Sequence, residues 1–252
     1  ITTGDWSSDV CSSDLDEAWA ARAGDADARA RAVVDRLLDE HLAGRAPTGL
    51  HVARAVARGV RGGDRLVVGA SNAIRDLSLV GPLDPDVSVY ANRGASGIDG
   101  TVATAVGVGL AGSGRTVALL GDLTFLHDVV GLCVGPAEAR PEDLTMVVAD
   151  DDGGGIFSLH EQGDPRFATD FDRVFGTPHG ADLAALCAGF GVEFEEADPG
   201  GLESLLADRA PAGLRVVRVA TSRDGLRELH AALRASAIGD EAGEGGDRKS
   251  VV

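Results

Sequence analysis

Thr116-Val117-Ala118-Leu119-Leu120-Gly121-Asp122-Leu123 and, further on, Leu144-Thr145-Met146-Val147-Val148-Ala149-Asp150-Asp151-Asp152-Gly153-Gly154-Gly155 decide how this chain is read. Each begins as a short, continuous apolar run, the pattern of a strand buried on both faces. Each run then ends abruptly in carboxylate and glycine. In an open parallel sheet, ligands bind at the carboxyl ends of the strands. Asp122 and Asp151 would offer carboxylates from neighbouring strand ends, and Gly153 a backbone carbonyl if the turn bends back. Oxygen donors of this kind suit Mg²⁺, and glycine lets backbone approach an anion closely. One Gly-Asp or Asp-Gly pair makes only a turn. Two of them on adjacent strands point to a cation and the phosphates it bridges. A helix starting after Gly121–Asp128 would aim amide N–H groups at such a phosphate.

Outward from these runs the chain alternates. Strands are predicted at 65–68, 87–91, 116–120, 144–149 and 214–220, with a further one at 192–195. Helices are predicted at 25–41, 50–60, 100–111, 128–139, 182–190, 202–207 and 226–236, and Thr48 is positioned to cap the second of them. Alternation of this kind gives an α/β fold: a doubly wound, mostly parallel sheet with helices on both faces. Residues 153–177 carry no regular pattern, and a loop of that length is often functional.

Composition narrows the function classes. Hydrophobic residues make up 44% of the chain and aromatics only 4%, so aliphatic packing must fill the core. A net charge of −17 argues against nucleic acid and against anionic membranes as partners, though not against one local anion site. No segment approaches the length of a membrane span, and a cytoplasmic location is expected. Cys133 and Cys187 sit among apolar neighbours and read as buried free thiols in a reducing compartment. The histidines do not cluster in sequence and read as surface or satisfied core residues.

The ends of the chain look foreign. Asp5–Leu15 resembles the translated frame of a common sequencing adapter, and so does Asp247–Val252, which holds the only lysine, Lys249. The expected organisation is an adapter-like stretch at 1–15, a helical linker from a preceding domain at 16–46, the α/β domain at 47–236 and a disordered tail at 237–252. On this reading the chain is a fragment of a longer protein.

The strand-end turns resemble the thiamin diphosphate motif, Gly-Asp-Gly followed by Asn-Asn. Further segments sharpen the resemblance: Ser71-Asn72-Ala73-Ile74-Arg75-Asp76, Asn92-Arg93-Gly94-Ala95-Ser96-Gly97-Ile98-Asp99-Gly100, Gly153-Gly154-Gly155-Ile156-Phe157-Ser158, Glu161-Gln162-Gly163-Asp164-Pro165-Arg166-Phe167 and Phe175-Gly176-Thr177-Pro178-His179. Together they resemble the menaquinone-biosynthesis MenD family, the 2-succinyl-5-enolpyruvyl-6-hydroxy-3-cyclohexene-1-carboxylate synthases, over roughly the C-terminal third of such an enzyme. Leu123 at the third motif position is typical of that family. Asp150, Asp151 and Asp152 depart from it, because neutral residues are usual there.

The resemblance implies a thiamin diphosphate-binding domain with a set of roles. Asp122, Asp151 and the Gly153 carbonyl would hold Mg²⁺ (or Mn²⁺), with Gly121 and Leu123 beside the cofactor and Ile98 as the apolar wedge that bends it. Ser71, Arg75 and Arg93 would bind substrate carboxylates, and Ile156 and Phe157 would line the apolar wall. The family decarboxylates 2-oxoglutarate and adds the resulting succinyl carbanion to isochorismate. Its activating glutamate lies on the pyrimidine-binding domain of a partner subunit, so no catalytic residue is expected within this chain and a homodimer or homotetramer is expected for the whole protein. Two alternatives stand beside this. One is another thiamin diphosphate-dependent 2-oxo acid decarboxylase or carboligase, or an inactive cofactor-binding module. The other is an α/β-hydrolase in which Gly69-Ala70-Ser71-Asn72-Ala73 forms a nucleophile elbow, with Asp224 and His230 as partners.

Overall fold

A computed structural model of the chain describes residues 17–92, 97–208 and 213–239. Both adapter-like stretches lie outside the described residues. The elements run α1 (Glu17–Leu42), α2 (Gly49–Gly59), β1 (Arg65–Val68), α3 (Asn72–Val80), β2 (Ser88–Tyr90), α4 (Thr101–Ala111) and β3 (Thr116–Gly121). They continue through α5 (Asp122–His127), β4 (Asp143–Asp150), α6 (Ala168–Phe171), α7 (Leu183–Gly189), β5 (Glu193–Glu196), α8 (Pro199–Ala207), β6 (Gly213–Ala220) and α9 (Leu226–Gly239).

The strands form one sheet in the order β2-β1-β3-β4-β6-β5, and every pairing is parallel. Strand side chains alternate between faces, and the core divides accordingly. Leu66, Val117, Leu119, Val147 and Val217 pack on one face with α2, α3 and α8. Val67, Ala118, Leu120, Met146 and Val216 pack on the other with α4, α5 and α7. A sheet covered on both faces explains why its central strands read as unbroken apolar runs.

β1 and β3 are neighbours, yet the chain leaves β1 toward one face through α3 and leaves β3 toward the other through α5. Their carboxyl ends therefore diverge, which opens the crevice expected at a topological switch point.

Several expectations are corrected. No regular helix covers 128–139: Gly131 and the Gly135-Pro136 pair leave only a 3₁₀ turn at Val129–Leu132. The helix after β3 starts at Asp122 itself, with no intervening loop. α3 went unforeseen. Cys133 is exposed, because it ends that 3₁₀ turn and is not inside a helix; Cys187 is buried, and burial pushes its thiol up to about 11. α9 runs to Gly239, past the expected start of the tail.

α1 belongs to the body of the domain. Its Leu38 is fully buried with Leu50, Leu229 and Leu233. The N–H of Thr48 donates to His51 Nδ1 at 3.0 Å, so His51 Nε2 is the donor that meets the Leu38 carbonyl at 3.0 Å. At the far end of the sheet, Arg115 and Asp64 form a buried ion pair at 2.6 Å.

Candidate active site

A cavity of about 200 Å³ lies at the switch point, and the ends of β1, β3 and β4 supply its walls. Ser71, Ile98, Gly121, Asp122, Leu123, Asp151, Gly153, Ile156 and Phe157 all line it, so residues that the resemblance assigns to one site do share one cavity. Arg75 does not: it is exposed on α3 and its Nη1 donates to the Ser71 carbonyl. Arg93 lies outside the described residues.

The backbone is specialised here. Ser71 has φ 67° and ψ −132° between β1 and α3. A non-glycine residue in such a region costs about 1–3 kcal/mol and marks a functional turn. Gly153 has φ 141°, and a Cβ there would collide with the Gly176 carbonyl. Cβ atoms at Gly154 and Gly155 would meet Phe175 O and the Asp151 carboxylate. The three glycines thus let one chain segment fold tightly onto another.

Asp122 is 3% exposed. Its Oδ1 accepts from the Leu123 N–H at 2.6 Å, and its Oδ2 accepts from the Gly153 N–H at 2.7 Å. His179 Nε2 approaches the same Oδ2 at 3.2 Å. The tautomer follows from the other ring nitrogen: Nδ1 accepts the Ala181 N–H at 2.9 Å, so Nε2 carries the proton. His179 is a donor to Asp122. Burial, and next the neighbouring Asp150, push Asp122 up to about 6; the Gly153 and Leu123 amides pull the other way.

Asp150 differs. Burial raises it, but Arg218 Nε donates to its Oδ2 at 2.5 Å and brings it net below the ordinary range. Asp122, Asp150 and His179 offer ligand atoms within 4.8 Å of one another. That grouping contains Asp150, whereas Asp151 lines the cavity.

Asp151 faces the cavity from the β4 exit, and its Oδ1 is buried with no hydrogen-bond partner among the described residues. Burial, then the charge of Asp122, push it up to about 7, with Arg223 opposing. Across the cavity Asp76 is 3% exposed. Burial, then Asp151, push it up to about 7 as well.

Desolvated carboxyls beside an orphaned oxygen and a glycine cradle fit a hard divalent cation with an anion over it. With His179 and Arg218 acting as donors to Asp122 and Asp150, the set offered to a cation stays all-oxygen.

No family model matches the chain. Curated proteins do. It is 57% identical over 217 residues to a Nocardia farcinica protein, covering 86% of this chain and 39% of that one. Against a Rhodococcus opacus protein identity is 61% over 192 residues, covering 75% and 36%. Against one from Rhodococcus erythropolis it is 56% over 221 residues, covering 87% and 40%. Each is named 2-succinyl-5-enolpyruvyl-6-hydroxy-3-cyclohexene-1-carboxylate synthase. This chain is a relative of those synthases. It spans about two fifths of their length. A solved structure of a Mycobacterium smegmatis protein, described as a candidate thiamin diphosphate-dependent enzyme, matches 69% of this chain and 31% of that one, with a TM-score of 0.51 at 22% identity. That likeness concerns the fold.

The hydrolase arrangement is not formed. Asp224 lies on an exposed turn, His230 lines a separate cavity, and no histidine lines the Ser71 cavity among the described residues. Sequence reasoning missed His179 as a partner of Asp122, along with Asp76, Arg218 and Arg223. Only the Phe175–His179 segment of the synthase resemblance pointed toward His179.

Proposed function

We propose that the chain carries the diphosphate- and metal-binding half of the active site of a thiamin diphosphate-dependent synthase, acting on 2-oxoglutarate and isochorismate. The observation that carries this is the pair of desolvated carboxyls Asp122 and Asp151 at adjacent strand ends, the second with an unpartnered buried oxygen. Identity of 56–61% to synthases bearing that product name supports the choice of substrates.

Asp122, Asp151 and the Gly153 carbonyl would hold Mg²⁺ or Mn²⁺. The Gly153 carbonyl accepts from the Gly155 N–H at 3.1 Å and keeps a second lone pair for a cation. When bound, thiamin diphosphate supplies the electron sink for loss of CO₂ from a 2-oxo acid. Ile98, with a stiff branched side chain, would support its central bend. Ser71, held toward the cavity by its strained turn, and Arg75 and Arg93 would bind substrate carboxylates; arginine is suited to bidentate recognition. Ile156 and Phe157 would exclude water from the reacting carbon. The activating glutamate would come from the pyrimidine-binding domain of a partner subunit, in a homodimer or homotetramer.

Calorimetry of thiamin diphosphate binding, with Mg²⁺ and with EDTA, tests the half-site. Weak binding that needs Mg²⁺ and is lost in Asp122→Ala is expected, with no CO₂ released from 2-oxoglutarate by this chain alone. Metal-independent binding, or turnover without an added pyrimidine domain, contradicts the assignment. With that domain supplied, product formation only from other 2-oxo acids would favour a different decarboxylase or carboligase.

A further inference from the structure

A second cavity, of about 540 Å³, lies between α1, the end of α3 with its Gly81-Pro82 turn, and α9. It shares no residue with the strand-end cavity. Val34, Leu79 and Leu233 give it apolar walls. Its charged residues come from α1 and α9. Arg31 pairs with Asp27 one turn earlier. Arg29 and Arg234 have no acidic partner among the described residues. Elsewhere Arg36 pairs with Glu40, Arg54 with Asp35 and Asp39, and Arg58 with Asp35.

The third polar group is buried. His230 is 8% exposed, and its Nε2 has no hydrogen-bond partner. Burial, followed by the charge of Arg234, lowers its pKa, so the ring stays neutral at pH 7. A buried ring nitrogen without a partner costs about 1–3 kcal/mol. The Asp27–Arg31 pair cancels, which leaves two uncompensated guanidiniums at the cavity in a chain of net charge −17.

An apolar enclosure of roughly 300–1,000 Å³ with a few convergent polar groups is the usual form of a small-molecule site. Guanidinium selects carboxylate by charge and by its planar fork of donors. We propose that this cavity binds a small organic monoanion, a carboxylate carried on an apolar ring or chain. Arg29 and Arg234 take the carboxylate, His230 supplies a further polar contact, and Val34, Leu79 and Leu233 cover the apolar body. This site is independent of the strand-end chemistry.

The test titrates benzoate and octanoate, each beside its neutral amide, into the 252-residue chain by calorimetry. The acids are expected to bind with a Kd of about 1 mM or tighter, and the amides roughly tenfold more weakly. Arg29→Gln and Arg234→Gln should each weaken acid binding about tenfold, the scale of one charged hydrogen bond. They should leave amide binding and the melting temperature in place. Asp122→Ala should leave acid binding unchanged, which separates this cavity from the strand-end site. Equal affinity for acid and amide, acid binding that survives both arginine changes, its loss in Asp122→Ala, or no binding up to roughly 10 mM would each overturn the proposal.

Discussion

Replacing Asp151 by Asn should stabilise the metal-free protein, and by an amount that depends on pH. Asp151 is pushed from 3.8 to about 7, by burial first and then by the charge of Asp122. The sign is fixed by linkage: the folded state keeps a proton that the unfolded chain has already released. Folding is unpenalised below about pH 4, and the penalty grows until it is complete above about pH 7. Asn carries no such penalty. A shift of that size corresponds to about 4 kcal/mol, and the unpartnered Oδ1 must still accommodate an amide, so a gain of about 2–4 kcal/mol is expected at pH 8. For a domain of this size that is about 5–15 °C in melting temperature. Calorimetric melts at pH 4.5, 6 and 8 in EDTA measure it directly. The gap between variant and wild type should be smallest, at most about 1 kcal/mol, at pH 4.5 and should widen toward pH 8. Added Mg²⁺ should raise both proteins at pH 8, since the asparagine amide oxygen still offers a ligand, and should narrow the gap by relieving the charge on wild-type Asp151. A gap that is constant with pH, or a variant less stable at pH 8, would refute the reasoning.

Other substitutions probe the frame around the site. Ser71→Gly should raise the melting temperature by relieving the positive-φ strain, a gain of about 1 kcal/mol, whereas Ser71→Ala should not; equal losses in both would show that the turn is unstrained. Gly153→Ala should destabilise by more than about 2 kcal/mol, since its φ is 141° and its Cβ would strike Gly176, and a normal urea midpoint in that variant would count against the cradle. Arg115→Leu removes the guanidinium from Asp64, whose side chain is 0% exposed and is left with neutral donors such as the Arg61 N–H. Urea unfolding should register a loss of about 3–5 kcal/mol, and a loss under 1 kcal/mol would mean that the pair is solvated.

The strands were the most legible part of the sequence. β1 falls where the Arg65–Val68 pattern places it, and β3 and β4 exceed their apolar runs by one residue at the carboxyl end or by one at each end. Burial on both faces forces continuous apolar character there, and turn residues bound it sharply. Helices near the site were harder to see. α3 opens on a strained serine with no side-chain cap bond, and α5 spans only six residues, too few for a period to emerge. Ser71, Ile98, Ile156 and Phe157 were reached only through the family resemblance, whereas Asp122, Asp151 and Gly153 could be read because they follow strand ends. His179 could not, since its link to Asp122 spans 57 positions and a segment without pattern. Sequence chose Asp151 as the companion of Asp122 and gave no sign that Asp150, held by Arg218 on β6, also comes close to it.

The direct passage from Gly121 at the end of β3 to Asp122 at the start of α5 bears on how this region can tolerate changes in length. Gly121 is still in register with Ala149, and the following residue is already helical, so no slack separates the carboxylate from the sheet. One residue inserted at this junction would turn Asp122 by about 100° around the helix axis and withdraw it from the Gly153 amide. The stretch from Gly155 to Gly176, built of short single turns, has joints that can absorb an added residue. Scanning single-residue insertions along the chain should find β3–α5 unforgiving and that stretch permissive, although both border the same cavity. Natural length variation would then collect on the Phe157 side of the site, leaving the metal-facing side fixed in length.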